Sequence, residues 1–423
     1  MKKKLLFCIH NYFLFKHYIL DLKKIENDFE ITIIISNYLV DNLDREYENI
    51  KKKINFHNLF FVPYYNKKFE RSLSSIFLTH KFINELKKKI KFKEYDLCIS
   101  DNNFFIWQRI ILDSLLSKNC KKIGVMTGAL TLETSTIKDL LDHKNIKDSV
   151  SKIHKLRKTI GNRVKEKKLL KKISNIKNKY YDIWLDRVLL SYFFHSKNFK
   201  YKRFDLNLLE TDEFDKKIVF HYVNFLFWKN CYEKKENVIL SKHENECYCK
   251  NNKIKKSIFL STNTWHNKTD NEISQQVEKI TNFANKKIDK ISSNSKLYFK
   301  HHPQEPKKNI EKIKNFFYEK LNKNIEVEYI DKELSLSEIA CNFSFAYGML
   351  STALIDIKTS CNNINVYCLK SLGEKDFGTD YSLKMLNEDI IFYDDTKDKL
   401  DDISNTSILN KTVLKRIKFS EVI

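Results

Sequence analysis

The sequence predicts an α/β protein of two parallel-sheet domains, and three observations carry that prediction. Its 423 residues, 42% of them hydrophobic, exceed what one ordinary core organises and suit two domains. Short apolar runs alternate with longer polar stretches of helical period, the pattern of βα units around a parallel sheet. The pattern lapses in the middle of the chain and restarts near residue 257. The expected boundaries are a first domain at 1–210, a crossing between domains at 211–252 and a second domain at 253–423.

The first strand is expected at 5–9. Its apolar run follows Met1-Lys2-Lys3-Lys4 and ends at His10 and Asn11, too soon for a signal peptide or a membrane span. Further strands are expected at 30–35, 59–62, 97–100 and 122–126, with helices at 78–90 and 105–117. Asp101 follows one of these strands and Thr127-Gly128 another, at the strand ends where open α/β sheets hold ligands. Residues 151–202 are Lys-rich and helical in pattern, with Leu, Ile, Trp and Tyr spaced for one apolar face. Two readings stay open for them: a surface lying on an anionic membrane, and a solvated helical pair packed on the first domain. A strand at 218–222 and an aromatic patch through Trp228 fall in the crossing.

The second half reads as strand 257–261, helix 273–288, strand 296–300, helix 310–321, strand 326–330, a short helix at 336–341, strand 343–347, a helix opened by residues 348–354, and strand 363–369. With only 6 Gly and 3 Pro, linker and collagen-like readings fail, and 31 Phe with 21 Tyr argue against disorder. A net charge of +23 favours a polyanionic partner. Lys predominates over Arg among the basic residues, alongside abundant Asn and Ile, a bias that AT-rich genomes produce without selection for binding. Nine Cys lack paired zinc spacing and read as reduced thiols.

Two constellations carry chemistry. Lys300-His301-His302-Pro303 places a histidine and a lysine where a strand ends in a rigid turn, since Pro fixes its own φ and extends the residue before it. Such a histidine binds a phosphate and donates a proton to it as a bond to that phosphate breaks. Downstream, Gly348 with Ser351-Thr352 is a strand, a glycine turn and paired hydroxyls at a helix start, which favours an anion through backbone N–H groups and the helix dipole. The plain alternative for those hydroxyls is an ordinary helix cap.

Taken in order, the His-Pro motif, the acidic stretch Asp331-Lys332-Glu333 through Glu338, and the segment 348–354 resemble the bacterial sialyltransferase and polysialyltransferase families, including glycosyltransferase family 52. The resemblance is specific over 257–369 and general elsewhere. It implies a GT-B-like fold of two Rossmann-like domains, a CMP-activated sialic acid or related nonulosonate as donor, and inversion without a metal. It assigns His302 to the donor phosphate, Ser351 and Thr352 to holding that phosphate, and Lys300, Pro303, Ser261, Thr262, Asn263 and Gly348 to the donor site. His10, Asn11, Thr127 and Gly128 fall on the acceptor side. These families carry an acidic-acidic-Gly motif whose second acid is the general base. Here the fitting stretch reads Val125-Met126-Thr127-Gly128, and Thr127 does not deprotonate a sugar hydroxyl near neutral pH. Asp101 and Glu133, at neighbouring strand ends, are the candidate bases.

The expected activity is transfer of the acidic sugar to a lipooligosaccharide, O-antigen or capsule chain by an enzyme on the cytoplasmic face of a bacterial membrane, with no cofactor and no nucleic acid partner. Capsule Kdo transferases and CDP-glycerol glycerophosphotransferases combine the same two motifs with other donors. A basic nucleic-acid-binding protein is the distant alternative; it would lack zinc-finger spacing, an RNP-like motif and an Arg-rich face.

Overall fold

The computed structural model describes residues 2–10, 12–36, 42–62, 73–101, 106–126, 214–231, 235–244, 256–261, 269–291, 296–302, 305–321, 325–331, 334–348, 351–361, 363–369, 390–394, 399–400 and 416–423. The basic segment 151–202 lies outside them.

The first sheet contains β1 (Lys3–Ile9), β2 (Phe29–Ser36), β3 (Asn58–Val62), β4 (Leu97–Ser100), β5 (Lys121–Met126), β6 (Lys216–Val219) and β7 (Val238–Lys242). Their spatial order is β7-β6-β5-β4-β1-β2-β3, every pairing parallel. Helices α1 (Tyr12–His17), α2 (Ile19–Ile25), α3 (Leu43–Lys53), α4 (Leu73–Lys89) and α5 (Ile106–Ile110) connect the strands, and α6 (Tyr222–Cys231) joins β6 to β7. The two-residue period of β1 divides its side chains between the faces. Leu5, Phe7 and Ile9 enter a core with Tyr12, Phe15 and Tyr18, while Leu6 and Cys8 enter another with Ile83, Leu86 and Trp107. Covered on both faces, such strands read as unbroken apolar runs, which is why β1 and β2 are legible in the sequence.

The second sheet repeats the plan with β8 (Ser257–Leu260), β9 (Lys296–Lys300), β10 (Glu326–Ile330), β11 (Phe345–Gly348), β12 (Asn365–Leu369), β13 (Ile391–Asp394) and a short β14 (Lys399–Leu400). Its order is β10-β9-β8-β11-β12-β13-β14, parallel except for the last pair. Helices α7 (Asp270–Ile291), α8 (Lys307–Lys320), α9 (Leu336–Ile339) and α10 (Thr352–Ser360) cross between strands. Ile258 and Leu260 face one core, and Phe259 with Leu297 and Phe299 faces the other.

Two expected boundaries are corrected. Residues 211–252 are not only a crossing, because β6, α6 and β7 complete the first sheet; Ile218 and Phe220 join its core. The segment 416–423 also leaves the second domain: β15 (Ile417–Lys418) pairs with β7 and α11 (Phe419–Val422) packs on the first domain. Phe419 is fully buried there, with its ring 5.6 Å from Tyr18. Burying that aromatic is worth more than leaving it in water, and the first core supplies the socket. Of the cysteines, Cys8, Cys98, Cys120, Cys361 and Cys368 are buried and outside any disulfide, whereas Cys341 is disulfide-bonded, against the expectation of uniformly reduced thiols. Among the described residues no helix is long and apolar enough to cross a membrane.

Candidate active site

Both sheets reverse direction at one place, between β1 and β4 in the first and between β8 and β11 in the second. Crevices at such switch points are where parallel sheets receive ligands, because adjacent connections leave to opposite faces. In the second sheet Ser261 follows β8, Lys300 ends β9, and Gly348 ends β11. The Ser261 backbone N–H donates to the Lys300 carbonyl at 3.0 Å and holds these strand ends together. Lys300 is 5% exposed, and its Nζ donates to the Asp331 carbonyl at the end of β10, 3.1 Å away.

Past β9 the chain separates its two histidines. His301 is 4% exposed, stacked on Tyr329 with ring centroids 5.6 Å apart and edge-on to Phe299 at 4.9 Å. His302 is only half-buried, and its carbonyl accepts the Glu305 N–H at 2.9 Å. Pro303 itself lies outside the described residues.

Gly348 is the last residue of β11. A Cβ there would stand 3.0 Å from the Leu260 carbonyl oxygen and 3.0 Å from Leu354 Cδ2, so glycine permits β8 and α10 to close on the strand. Ser351 is the N-cap of α10, its Oγ accepting from the Ala353 N–H at 3.2 Å, so the capping alternative holds for this hydroxyl. Thr352 opens the helix. The acidic stretch ends in a capping box: Ser335 and Glu338 satisfy each other's backbone N–H at the start of α9.

These strand and helix ends line a cavity of about 190 Å³, and the first domain closes its other side with Lys16 and His17 from α1. The cavity also reaches Asp356, on α10, whose Oδ1 lies 3.3 Å from His221 Nε2 of the first domain. A second cross-domain ion pair joins Lys53 to Glu338. Burial drives the pKa of His17 down to about 4; Asp356 opposes this, and His243 and His221 add to it. His17 is therefore a neutral imidazole at physiological pH.

At the switch point of the first sheet, His10 follows β1 and Asp101 follows β4. Asp101 accepts from the His10 backbone N–H, from His10 Nδ1, and from Gln108 Nε2 at 2.7 Å. Its side chain is 2% exposed against 23% for His10, so the histidine is the member of the pair that faces outward. Burial disfavours the charged ring, but the Asp101 charge and hydrogen bond outweigh it, and the His10 pKa is raised. Helix α1 begins two residues after His10 and ends at His17; its six residues span about 9 Å at 1.5 Å per residue.

The structure thus brings Lys300, His302, Ser261 and Ser351 to one cavity and pairs His10 with Asp101. Asn11, Thr127, Gly128, Glu133, Thr262 and Asn263 lie outside the described residues. Lys16, His17, His221, Gln108 and Asp356 escaped the sequence reading. For Lys16-His17 the available signal was a polar pair inside an otherwise apolar run, 12–19.

Two Rossmann-like domains with a cavity between their sheet ends define a GT-B-like architecture, an assignment that rests on strand order. No protein-family model matches the chain, and no curated protein sequence matches it. Among solved structures it is similar to an α/β-galactoside α-2,3-sialyltransferase from the luminous marine bacterium Photobacterium phosphoreum, at 11% identity and TM-score 0.47, with all of each chain covered. A sialyltransferase from Photobacterium damselae matches at 12% identity and TM-score 0.41, covering 92% of this chain and 100% of that one. A UDP-GlcNAc 2-epimerase from Neisseria meningitidis matches at 8% identity and TM-score 0.44, covering 91% and 86%.

Proposed function

We propose that the protein is an inverting, metal-independent glycosyltransferase that moves a sialic acid or related nonulosonate from its CMP-sugar to a bacterial cell-surface glycan. The observation that carries this reading is the convergence of Lys300, His302, Ser261 and the N-terminus of α10 on a cavity that the first domain closes. A phosphate seated there meets a buried ammonium, backbone N–H groups and a histidine able to donate a proton. Together with the motif order in the sequence, this supports a nucleotide-phosphate leaving group.

In this mechanism the acceptor hydroxyl loses its proton to His10 as its oxygen attacks the anomeric carbon. The bond from that carbon to the phosphate oxygen breaks, and the phosphate leaves with a hydrogen bond or proton from His302. Asp101, whose oxygens are taken by His10 and Gln108, positions the base instead of meeting the substrate, which replaces the part expected for it. Membrane attachment through 151–202 and a cytoplasmic location belong to the same proposal.

Thermal stabilisation by CMP, CDP, UDP, GDP and ADP tests the donor site, because a ligand that binds only the folded state raises its apparent stability. CMP should stabilise the wild type, and His302→Ala should lose the effect. A preference for UDP would keep the site and change the sugar class, a preference for CDP would favour glycerophosphate transfer, and no shift with any nucleotide would end the phosphate-site reading.

A further inference from the structure

The cavity holds two lysines, one from each domain, and the phosphate chemistry uses one of them. Lys300 rises from the strand ends of the second sheet, where Ser261, His302 and α10 converge. Lys16 comes from α1 of the first domain and lines the same cavity while only 7% exposed. Holding an ammonium so far from water is costly unless something fixes and balances it.

Its setting is well defined. Lys16 Nζ sits 4.8 Å from the centroid of the buried Tyr12 ring, a cation-π contact within one short helix. The Tyr12 hydroxyl is bonded to Glu46, whose carboxylate also accepts from Arg45 and Asn49. Burial pushes the Glu46 carboxyl up, but the hydrogen bonds from Tyr12, Asn49 and Arg45 and the charge of Lys16 outweigh it and hold it below its usual value. Glu46 thus balances Lys16 while its oxygens are shared among three other donors. Besides Lys300, the other titratable groups on the cavity wall are His301 and His302 of the second domain, His17, neutral at physiological pH, and Asp356, which faces His221.

We propose that Lys16 is the residue that selects an acidic sugar, by pairing with the carboxylate of the donor across the cleft from the phosphate site. The chemistry of the donor makes the placement specific. In a CMP-nonulosonate the carboxylate is borne by the same carbon that carries the phosphate ester, so two anionic groups enter the cleft side by side. A phosphate held by the second domain turns the neighbouring carboxylate towards the first domain, whose wall presents Lys16. Neutral nucleotide sugars have no anion at that position and gain no charge-assisted contact there, so the acidic sugar is preferred by the difference. This inference rests on the CMP-donor reading and adds to it the residue that enforces the sugar class.

The test is titration calorimetry of three ligands, CMP, CMP-sialic acid and the carboxyl methyl ester of CMP-sialic acid, against the wild type, Lys16→Met and Lys16→Arg. Wild type should bind the acid about 10- to 100-fold more tightly than the ester, the span of a charge-assisted hydrogen bond. Lys16→Met should bind both alike while its affinity for CMP stays unchanged, which also reports that the variant is folded. Lys16→Arg should keep a preference for the acid. A Lys16→Met protein that still prefers the acid, or that loses CMP affinity as much as donor affinity, overturns the assignment; the second result gives Lys16 to the phosphate. Wild type that binds CMP without distinguishing acid from ester overturns it and leaves the CMP reading standing. Wild type that binds none of the three overturns the CMP reading, and the assignment with it.

Discussion

His10 and His17 stand near the two ends of one short helix, yet their surroundings drive their titration in opposite directions. Beside Asp101, His10 has its pKa raised above the ordinary 6.5. A base must be neutral to accept a proton, so kcat/KM should rise with pH along an acid limb centred above 6.5. Asp101→Asn should move that limb down and lower kcat by about 10²- to 10⁴-fold, the usual contribution of a general base. A pH-rate profile of the two proteins decides the matter, and an unchanged limb would remove His10 from the mechanism. His17 is buried and neutral, with its pKa lowered to about 4. Protons bind it more readily in the unfolded chain, so stability should be full above about 6.5 and fall as the pH drops towards 4. Denaturant midpoints across that window should show the decline, and His17→Gln should flatten it. Both histidines have polar or aromatic neighbours in the sequence; what separates them is the burial and charge supplied by distant segments.

At the scale of the element, β11 and α10 show how a motif read as chemistry is also packing. Gly348 lets the strand end lie against Leu260 and Leu354, both buried. Gly348→Ala should cost about 1–3 kcal/mol through overpacking and weaken nucleotide binding, because the same shift displaces the start of α10. Ser351→Ala removes a helix cap worth about 1 kcal/mol. Chemical denaturation with CMP titration checks both variants, and a Gly348→Ala protein with wild-type CMP affinity would show that α10 does not need its place. The strands at 97–100, 296–300 and 326–330 have the bounds expected from sequence, since buried parallel strands are continuous apolar runs between turn residues. The strand expected at 343–347 begins at Phe345 instead, because Ala340–Asn342 forms a tight turn and Phe343 enters the core before pairing begins. Local pattern marks Phe343 as apolar and has no means of saying which core takes it.

Across the whole molecule, the second domain is bound to the first through Lys53–Glu338, through His221–Asp356, and through the segment 416–423. The ion pairs land on α9 and α10, the two helices whose starts flank the cavity, so the placement of the cavity and the meeting of the domains are mechanically one arrangement. Phe419 anchors the returning segment in the first core with Tyr18 and Phe220. Phe419→Ala should therefore destabilise the first domain by about 3–5 kcal/mol, although more than 170 residues of chain separate it from β7. Hydrogen exchange resolved by domain measures this, and loss of protection confined to the second domain would contradict the packing. By itself the sequence determined two α/β domains, the strands near both switch points, and the positions of Lys300, His302 and Ser351 at strand and helix ends, because hydrophobic period and turn chemistry act over a few residues. Only the tertiary structure decided that His10 leans on Asp101, that Lys16 and His17 close the cavity at the ends of the second sheet, and that 416–423 belongs to the first domain. Each of these joins segments far apart in the chain, and burial and electrostatic pairing are set by such contacts, to which local pattern is blind.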